Sequence, residues 1–458
     1  MLVKRIGFHD NGELSEEEVL QAAKEGALWL ENEKFYDDQG ISWPRSDDHD
    51  VSADRNYPNP NSFHAGLAGM IPYLLNMEDL FPGKGYLEEA EEAGERLLKT
   101  DDVSRRIDLK EESEDPPLNI YGELPGEAYA LYLLYEKTGK ESYLDYCRRS
   151  LKTIGESAVK TDHGYRWAGR YCYAMAGDAG TLLSLIFLSG KLEDHRYDHV
   201  IKGISEELIH LAMKDEDGLY WKALVGKEES PEEAVYWPGL EFGTSGVAQA
   251  LAEAGAYLKE EEILSSAEKG ACHLMKEAVY VRENAVLFSM NTRHPEVFYL
   301  GHCYGSMGIA KLFYSLYEKT GKEVYRSFLE KIVNGITFTG APLVNSSGYW
   351  NNDCYCCGTA GLLSLFTGLY AAFKEEEYLY LAEQAAQKLI GDGYHDDGKG
   401  LRWYQAYTRL RPYDVHTYNG YILGNAGNVS MLKDLLSAMR KEGKFFRFVE
   451  DPFPEEIQ

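Results

Sequence analysis

The stretch "GHCYGSMGIAKLF", Gly301–Phe313, sets a histidine and a cysteine ahead of two glycines three residues apart, then opens into an apolar run of helical spacing. The same figure returns in "DCYCCGTAGLLSLF", Asp353–Phe366. Gly-x-x-Gly also heads "GLAG" at Gly66, "GDAG" at Gly177, "GTSG" at Gly243 and "GNAG" at Gly424, with a looser copy, "GELPG", at Gly122. Seven copies mark a repeat architecture. Two segments that nearly coincide, "LYEKTGKESY" from Leu134 and "LYEKTGKEVY" from Leu316, lie 182 residues apart, which is three units of roughly 60 residues.

Between the glycine pairs lie polar-faced segments such as "SEEEVLQAAKEGALWL" and "EEEYLYLAEQAAQKLI", with apolar residues every three or four positions. Each unit therefore reads as an outer amphipathic helix followed by a more apolar inner one. A second mark falls between the two: "GISW" ending at Trp43, "GYRW" at Trp167, "GLYW" at Trp221, "GYW" at Trp350 and "GLRW" at Trp403. Five of the seven tryptophans share this phase, which suggests a short hairpin link whose indole packs on the helical pair. The second and fifth units lack it. Helical hairpins bury their inner faces by stacking, so the expected fold is all-α: an α/α toroid, a double barrel of seven inner and seven outer helices over residues 1–458. An open superhelix is the alternative.

With 75 acidic against 47 basic residues the formal charge is -28, which disfavours nucleic acid and acidic membrane surfaces as partners. The first residues, "MLVKRIGFHDNGELSEEE", contain no apolar signal-peptide core, and no run approaches a membrane span, so a cytoplasmic protein is expected. Thiols there stay reduced and serve as buried hydrophobes, metal ligands or nucleophiles.

The repeat phase sorts the seven cysteines. Two residues before the first glycine stand His64, Met175, Glu241, Cys303, Cys356 and Ile422, the looser second unit has Tyr121 one residue before Gly122, and Cys357 follows Cys356 by one residue. Equal phase in neighbouring units brings Cys303, Cys356 and Cys357 to one height at the starts of two inner helices, where the helix dipole favours thiolate. Three thiolates with an open fourth position suit a catalytic zinc ion. Cys354 falls outside this set, and Cys147, Cys172 and Cys272 read as packing residues.

"CYGSMG" at Cys303 and "CCGTAG" at Cys356, within seven Gly-x-x-Gly units, resemble the lanthionine synthetase C-like (LanC-like) family over essentially the whole chain. The resemblance implies an α/α toroid with Zn2+ held by Cys303, Cys356 and Cys357, the last standing where most members have histidine. It implies activation of a thiol, from a peptide or a small molecule, for addition to an electrophile to form a thioether. Of the family's acid-base and electrostatic groups only Tyr304 is kept: Tyr173 aligns with an aspartate, Phe242 with a histidine and Tyr299 with an arginine. Replacement groups near the motifs are His302, Glu241, His64, His416 and Asp353. Two other readings stand beside the enzyme. One is a zinc-stabilised binding scaffold without catalysis. The other is a toroid glycosidase of the zinc and cysteine type, although Gly301 occupies the place of that group's glutamate. Three long polar loops, residues 44–66, 101–122 and 222–242, are expected to rim the metal.

Overall fold

The computed structural model of the protein describes residues 14–46, 59–100, 118–122, 124–167, 171–175, 177–216, 218–222, 235–395 and 397–457. Most of the three long loops, residues 47–58, 101–117 and 223–234, lies outside the described residues, and so does the rim expected of them. The described residues form seven inner helices, α2 (Leu67–Leu80), α4 (Leu124–Thr138), α6 (Asp178–Lys191), α8 (Thr244–Leu258), α10 (Ser306–Thr320), α12 (Thr359–Phe373) and α14 (Asn425–Arg440). Alternating with them run seven outer ones, α1 (Glu16–Glu33), α3 (Tyr86–Thr100), α5 (Glu141–Glu156), α7 (Asp198–His210), α9 (Glu261–Glu277), α11 (Glu323–Phe338) and α13 (Glu376–Asp392). The α/α toroid is the observed fold.

Each inner helix from α2 to α12 packs antiparallel on the outer helix that follows it, and α14 packs on α1 from the other end of the chain. Helix α14 also packs against α2, which closes the ring. Helix α5 buries Tyr143, Cys147, Ser150 and Ile154 along one face, the stripe of an outer helix. Helix α12 buries residues on all sides, as a helix covered both outside and within the bore must.

The glycine pairs answer to close packing. A Cβ on Gly305 would stand 2.0 Å from the Tyr299 carbonyl oxygen, and one on Gly308 2.1 Å from that of His302. The loop folds back over the helix start so that Ser306 and Met307 donate to the Tyr299 and Leu300 carbonyls, at 3.1 and 3.0 Å. Two of the orphan N–H groups at the helix start are thereby satisfied. Thr359 and Ala360 repeat the arrangement at α12 with Asn352 and Asp353.

These loops are stitched to one another around the bore. His64 N–H donates to the Tyr121 carbonyl, Ile120 to Met175, Met175 to Glu241, Glu241 to Cys303, His302 to Cys356, Cys356 to Ile422 and Ile422 to His64, at distances between 2.7 and 3.3 Å. The seven links form a closed circuit through every unit, at the position two residues before the first glycine in six of them and at Ile120–Tyr121 beside Gly122 in the second. Their equal height, expected from the repeat phase, is thus fixed by hydrogen bonding.

The tryptophans act on the outer helices. Indole N–H groups of Trp43, Trp167, Trp221 and Trp403 donate to carbonyls in the last turns of α1, α5, α7 and α13: Leu30 at 2.9 Å, Ile154 at 2.8 Å, Leu208 at 2.7 Å and Leu389 at 2.6 Å. Trp350 departs from the set and donates to Ala406 at 2.9 Å. Short antiparallel hairpins accompany the links: β1–β2 (Phe35–Asp37, Gly40–Ser42), β3–β4 (Val159–Lys160, Tyr165–Arg166) and β5–β6 (Met213–Lys214, Leu219–Tyr220). Two more follow, β7–β8 (Val279–Arg282, Ala285–Leu287) and β9–β10 (Tyr404–Ala406, Val415–Thr417). The fifth unit therefore has a hairpin without the tryptophan, and Trp403 precedes its hairpin rather than closing it.

After α14 the chain turns back and fills the bore. Phe448 stacks on Phe63 at 4.3 Å and meets Tyr129 edge-on at 5.0 Å. Phe453 packs on Tyr314 at 4.7 Å and takes the space that a side chain on Gly368 would need. Gln249 Nε2 donates to the Glu450 carbonyl at 2.7 Å, and Lys191 pairs with Glu455 at 3.2 Å.

Trp221→Phe keeps an aromatic ring in place but removes the donor from the Leu208 carbonyl. It should cost about 1–3 kcal/mol, read as a lower urea midpoint, and an unchanged midpoint would show that the indole bond is not what closes the outer helix.

Candidate metal centre

Cys303 arrives from the loop before α10, and Cys356 and Cys357 from the loop before α12, neighbours in the ring. Cys357 Sγ is 3.3 Å from Cys356 Sγ and 3.6 Å from Cys303 Sγ, and all three sulfurs lie within 4.8 Å of one another. Cys303 and Cys356 are buried and Cys357 half-buried, so the cluster is approached from the Cys357 side. Zinc–sulfur bonds of about 2.3 Å on a tetrahedron put sulfurs roughly 3.8 Å apart. The donor set fits zinc. No fourth His, Cys, Asp or Glu among the described residues joins the group. Cys354 Sγ instead accepts the Cys357 N–H at 3.4 Å.

Hydrogen bonds from Cys303, Cys354 and Cys356, with one from the Tyr299 hydroxyl, hold the Cys357 thiol well below its ordinary range, while burial pushes Cys303 up. Tyr299, which replaces the arginine implied by the resemblance, is therefore part of the cluster. Its hydroxyl lies 3.1 Å from Cys357 Sγ and 3.5 Å from Cys303 Sγ.

The other two substituted positions join an aromatic wall. Tyr173 packs on Phe242 at 5.2 Å, and the half-buried Tyr304 lies between Phe242 at 4.6 Å and Trp237 at 4.7 Å. Tyr299 meets Tyr304 edge-on at 5.4 Å. This band is apolar where the resemblance leads one to expect an acid, an imidazole and a guanidinium.

Polar groups collect below the sulfurs. Glu241 Oε1 lies 3.7 Å from Cys356 Sγ, 3.0 Å from the Tyr121 hydroxyl and 3.9 Å from His302 Nε2. Burial, with the Glu450 carboxylate nearby, pushes the Glu241 carboxyl well above its usual range. His302 Nε2 pairs with Glu450 Oε1 at 2.7 Å, and the Tyr121 hydroxyl also donates to Glu450. Burial lowers the pKa of His302, and Lys311 lowers it further. His64 is buried at the same height, with its pKa lowered to about 3 by burial. His416, on β10, has its Nε2 3.2 Å from Asp414. Asp353 accepts from the Thr359 hydroxyl at 2.9 Å, and burial beside Asp392 raises it to about 7. The ring thus brings together Cys303, Cys356, Cys357, Glu241, His302 and His64, and it directs Asp353 to the start of α12. Cys147 and Cys172 are buried as expected, but Cys272 is exposed, because its position on α9 turns away from the inner ring.

The lanthionine synthetase C-like protein model matches residues 59–449. The chain belongs to this family. Among solved structures, nisin cyclase resembles this LanC-like protein with a TM-score of 0.58 at 17% identity, over 84% of this chain and 95% of that one. An unsaturated glucuronyl hydrolase specific for heparin aligns with a TM-score of 0.48 at 13% identity, over 93% of this chain and 99% of that one. The α-1,6-mannanase of Salegentibacter sp. HEL1_6 aligns with a TM-score of 0.47 at 11% identity, over 92% and 99%. No curated protein matches the sequence. No helix among the described residues is long and apolar enough to cross a membrane.

Farther down the bore of this LanC-like toroid, Asp434 is buried with both carboxylate oxygens lacking a hydrogen-bond partner among the described residues. Lys433 and Arg447 stand 3.9 and 3.8 Å away. Burial outweighs those cations and raises the Asp434 pKa to about 6, above the ordinary 3.8. A raised carboxyl pKa means that the folded chain holds a proton the unfolded chain has released, so stability falls as pH rises through 6. Asp434→Asn lacks that penalty. Its urea midpoint should gain on the wild type between pH 4.5 and 7.5, and a gap that stays constant or narrows would contradict the assignment.

Proposed function

We propose that the protein is a zinc-dependent, lanthionine-cyclase-like enzyme that activates a thiol for addition to an electrophile, taking a peptide or small-molecule thiol as substrate. The observation that carries this reading is the sulfur triangle, three cysteine thiols at zinc-like separation, with no other His, Cys, Asp or Glu donor among the described residues within 4.8 Å of all of them. Cys303, Cys356 and Cys357 would hold the ion, which supplies a low-pKa position for the substrate thiol while leaving its sulfur nucleophilic. A fixed four-ligand shell, as a scaffold site needs, would require a fourth donor within reach of all three sulfurs, and the described residues supply none within 4.8 Å of each.

Addition to a dehydroalanine or dehydrobutyrine forms one C–S bond at the β-carbon, and the displaced electron pair takes up a proton at the α-carbon. A proton donor must therefore stand beside the sulfurs. Glu241 would make that transfer, a reading supported by its 3.7 Å distance from Cys356 Sγ. The Tyr121 hydroxyl holds the same carboxyl oxygen at 3.0 Å and keeps it turned toward the cysteines. The Tyr299 hydroxyl contacts two sulfurs and fixes their spacing, while the rings of Tyr304, Phe242 and Tyr173 line the approach and exclude water.

Zinc-loaded protein mixed with a thiol and a dehydroalanine peptide should form the thioether, followed by mass spectrometry, well above the uncatalysed rate. Cys303→Ala and Cys357→Ala should lose both the zinc and the acceleration. Glu241→Gln should keep the zinc and slow the reaction by about 10²–10⁴-fold. Full zinc occupancy with no acceleration for any thiol tried would favour the scaffold instead.

A further inference from the structure

The segment "FFRFVEDPF", residues 445–453, follows the last repeat unit and belongs to none of the seven. It nevertheless reaches the two cysteine-bearing units by a regular device. His302 precedes Cys303 and Tyr355 precedes Cys356, so both stand three residues before their unit's first glycine. Two consecutive acids meet them from below: Glu450 pairs with His302 Nε2 at 2.7 Å, and Asp451 accepts from the Tyr355 hydroxyl at 3.5 Å. Lys311 joins the second contact, 2.7 Å from the Tyr355 hydroxyl and 3.4 Å from Asp451.

We propose that the C-terminal segment is part of the reaction centre, with Glu450 as the positioning residue that sets the tautomer and orientation of His302 and holds the Tyr121 hydroxyl against Glu241. The inference rests on reading the cysteine cluster as the reaction centre.

The hydrogen bonds fix the roles. His302 is 2% exposed, and its Nδ1 has no hydrogen-bond partner among the described residues. A buried N–H without an acceptor is costlier than a bare lone pair, so the ring proton belongs on Nε2, where Glu450 accepts it. The second Glu450 oxygen accepts from Tyr121, whose hydroxyl also touches Glu241. Glu450 is itself fixed: it is fully buried, its carbonyl accepts from Gln249 at 2.7 Å, and Phe448 two residues earlier is stacked on Phe63. Outer-shell groups that orient what touches a metal's ligands commonly change metal affinity by about 10–100-fold when lost, and Glu450 reaches the ligand Cys356 through the Tyr121 hydroxyl and Glu241, whose Oε1 is 3.7 Å from that sulfur. Glu450 holds that place here, supplied from outside the repeat.

The test uses the full chain loaded with zinc. Two-bond ¹H–¹⁵N spectra of histidine-labelled protein, with the His302 signal assigned by its loss in His302→Gln, should show a neutral ring protonated at Nε2. Glu450→Ala should shift or split that signal and weaken zinc binding, measured by competition with a chelating dye, by about 10–100-fold. Glu450→Gln, which can still accept from Nε2, should restore both. If Glu450→Ala does not fold, Glu450→Asp, one carbon shorter, takes its place against Glu450→Gln. An alanine or aspartate variant with wild-type His302 signals and zinc affinity overturns the proposal. A wild-type protein that binds no zinc would refute the reading of the cluster, while the His302 spectrum would still decide what Glu450 does.

Discussion

Seven backbone hydrogen bonds running from unit to unit around the mouth of the bore are the constraint on which this protein depends. Helix stacking alone would allow neighbouring units to slide. The circuit removes that freedom at one height, the height of His64, Tyr121, Met175, Glu241, Cys303, Cys356 and Ile422. The close carbonyl contacts at Gly305 and Gly308 belong to the same device, since any side chain there would lift the loop from the helix start and break its link. The sulfur triangle is thus a consequence of the ring, with two loops held in phase by main-chain bonds that do not depend on which side chains they carry.

The same rigidity explains how the site can change its chemistry without changing its shape. Tyr173, Phe242 and Tyr299 replace three polar groups implied by the family resemblance, and each has been absorbed. The first two pack into the aromatic wall, and the third sets its hydroxyl between two sulfurs. The polar groups instead gather beside the sulfurs: Glu241, Tyr121 and His302 on the ring, and Glu450 from the C-terminal segment. The bore that the seven helices enclose would otherwise be a large void, and Phe448 and Phe453 fill it while carrying Glu450 to the centre.

What was legible in the sequence was whatever the repeat obliges. The glycine pairs recur because a carbonyl occupies the space of each Cβ, and four of the five phased tryptophans recur because an outer-helix carbonyl needs an indole donor. Phase then placed Cys303 beside Cys356 and Glu241. What was not legible has no periodic counterpart. The C-terminal segment makes its contacts once, so nothing in the repeat points to Glu450, although four phenylalanines in nine residues past the last unit are a sign of burial. Tyr299 read as a lost arginine because a phenol bonding to sulfur leaves no pattern. The fifth unit's hairpin lacked its tryptophan mark, and the exposure of Cys272 depended on the rotation of a helix that carries both polar and apolar neighbours.

Zinc K-edge X-ray absorption of the metal-loaded protein tests the account most directly. Three sulfurs at about 2.3 Å and one light atom are predicted, with the light atom replaced by a fourth sulfur when a substrate thiol is added. A shell of four fixed protein ligands, or one with fewer than three sulfurs, would contradict it.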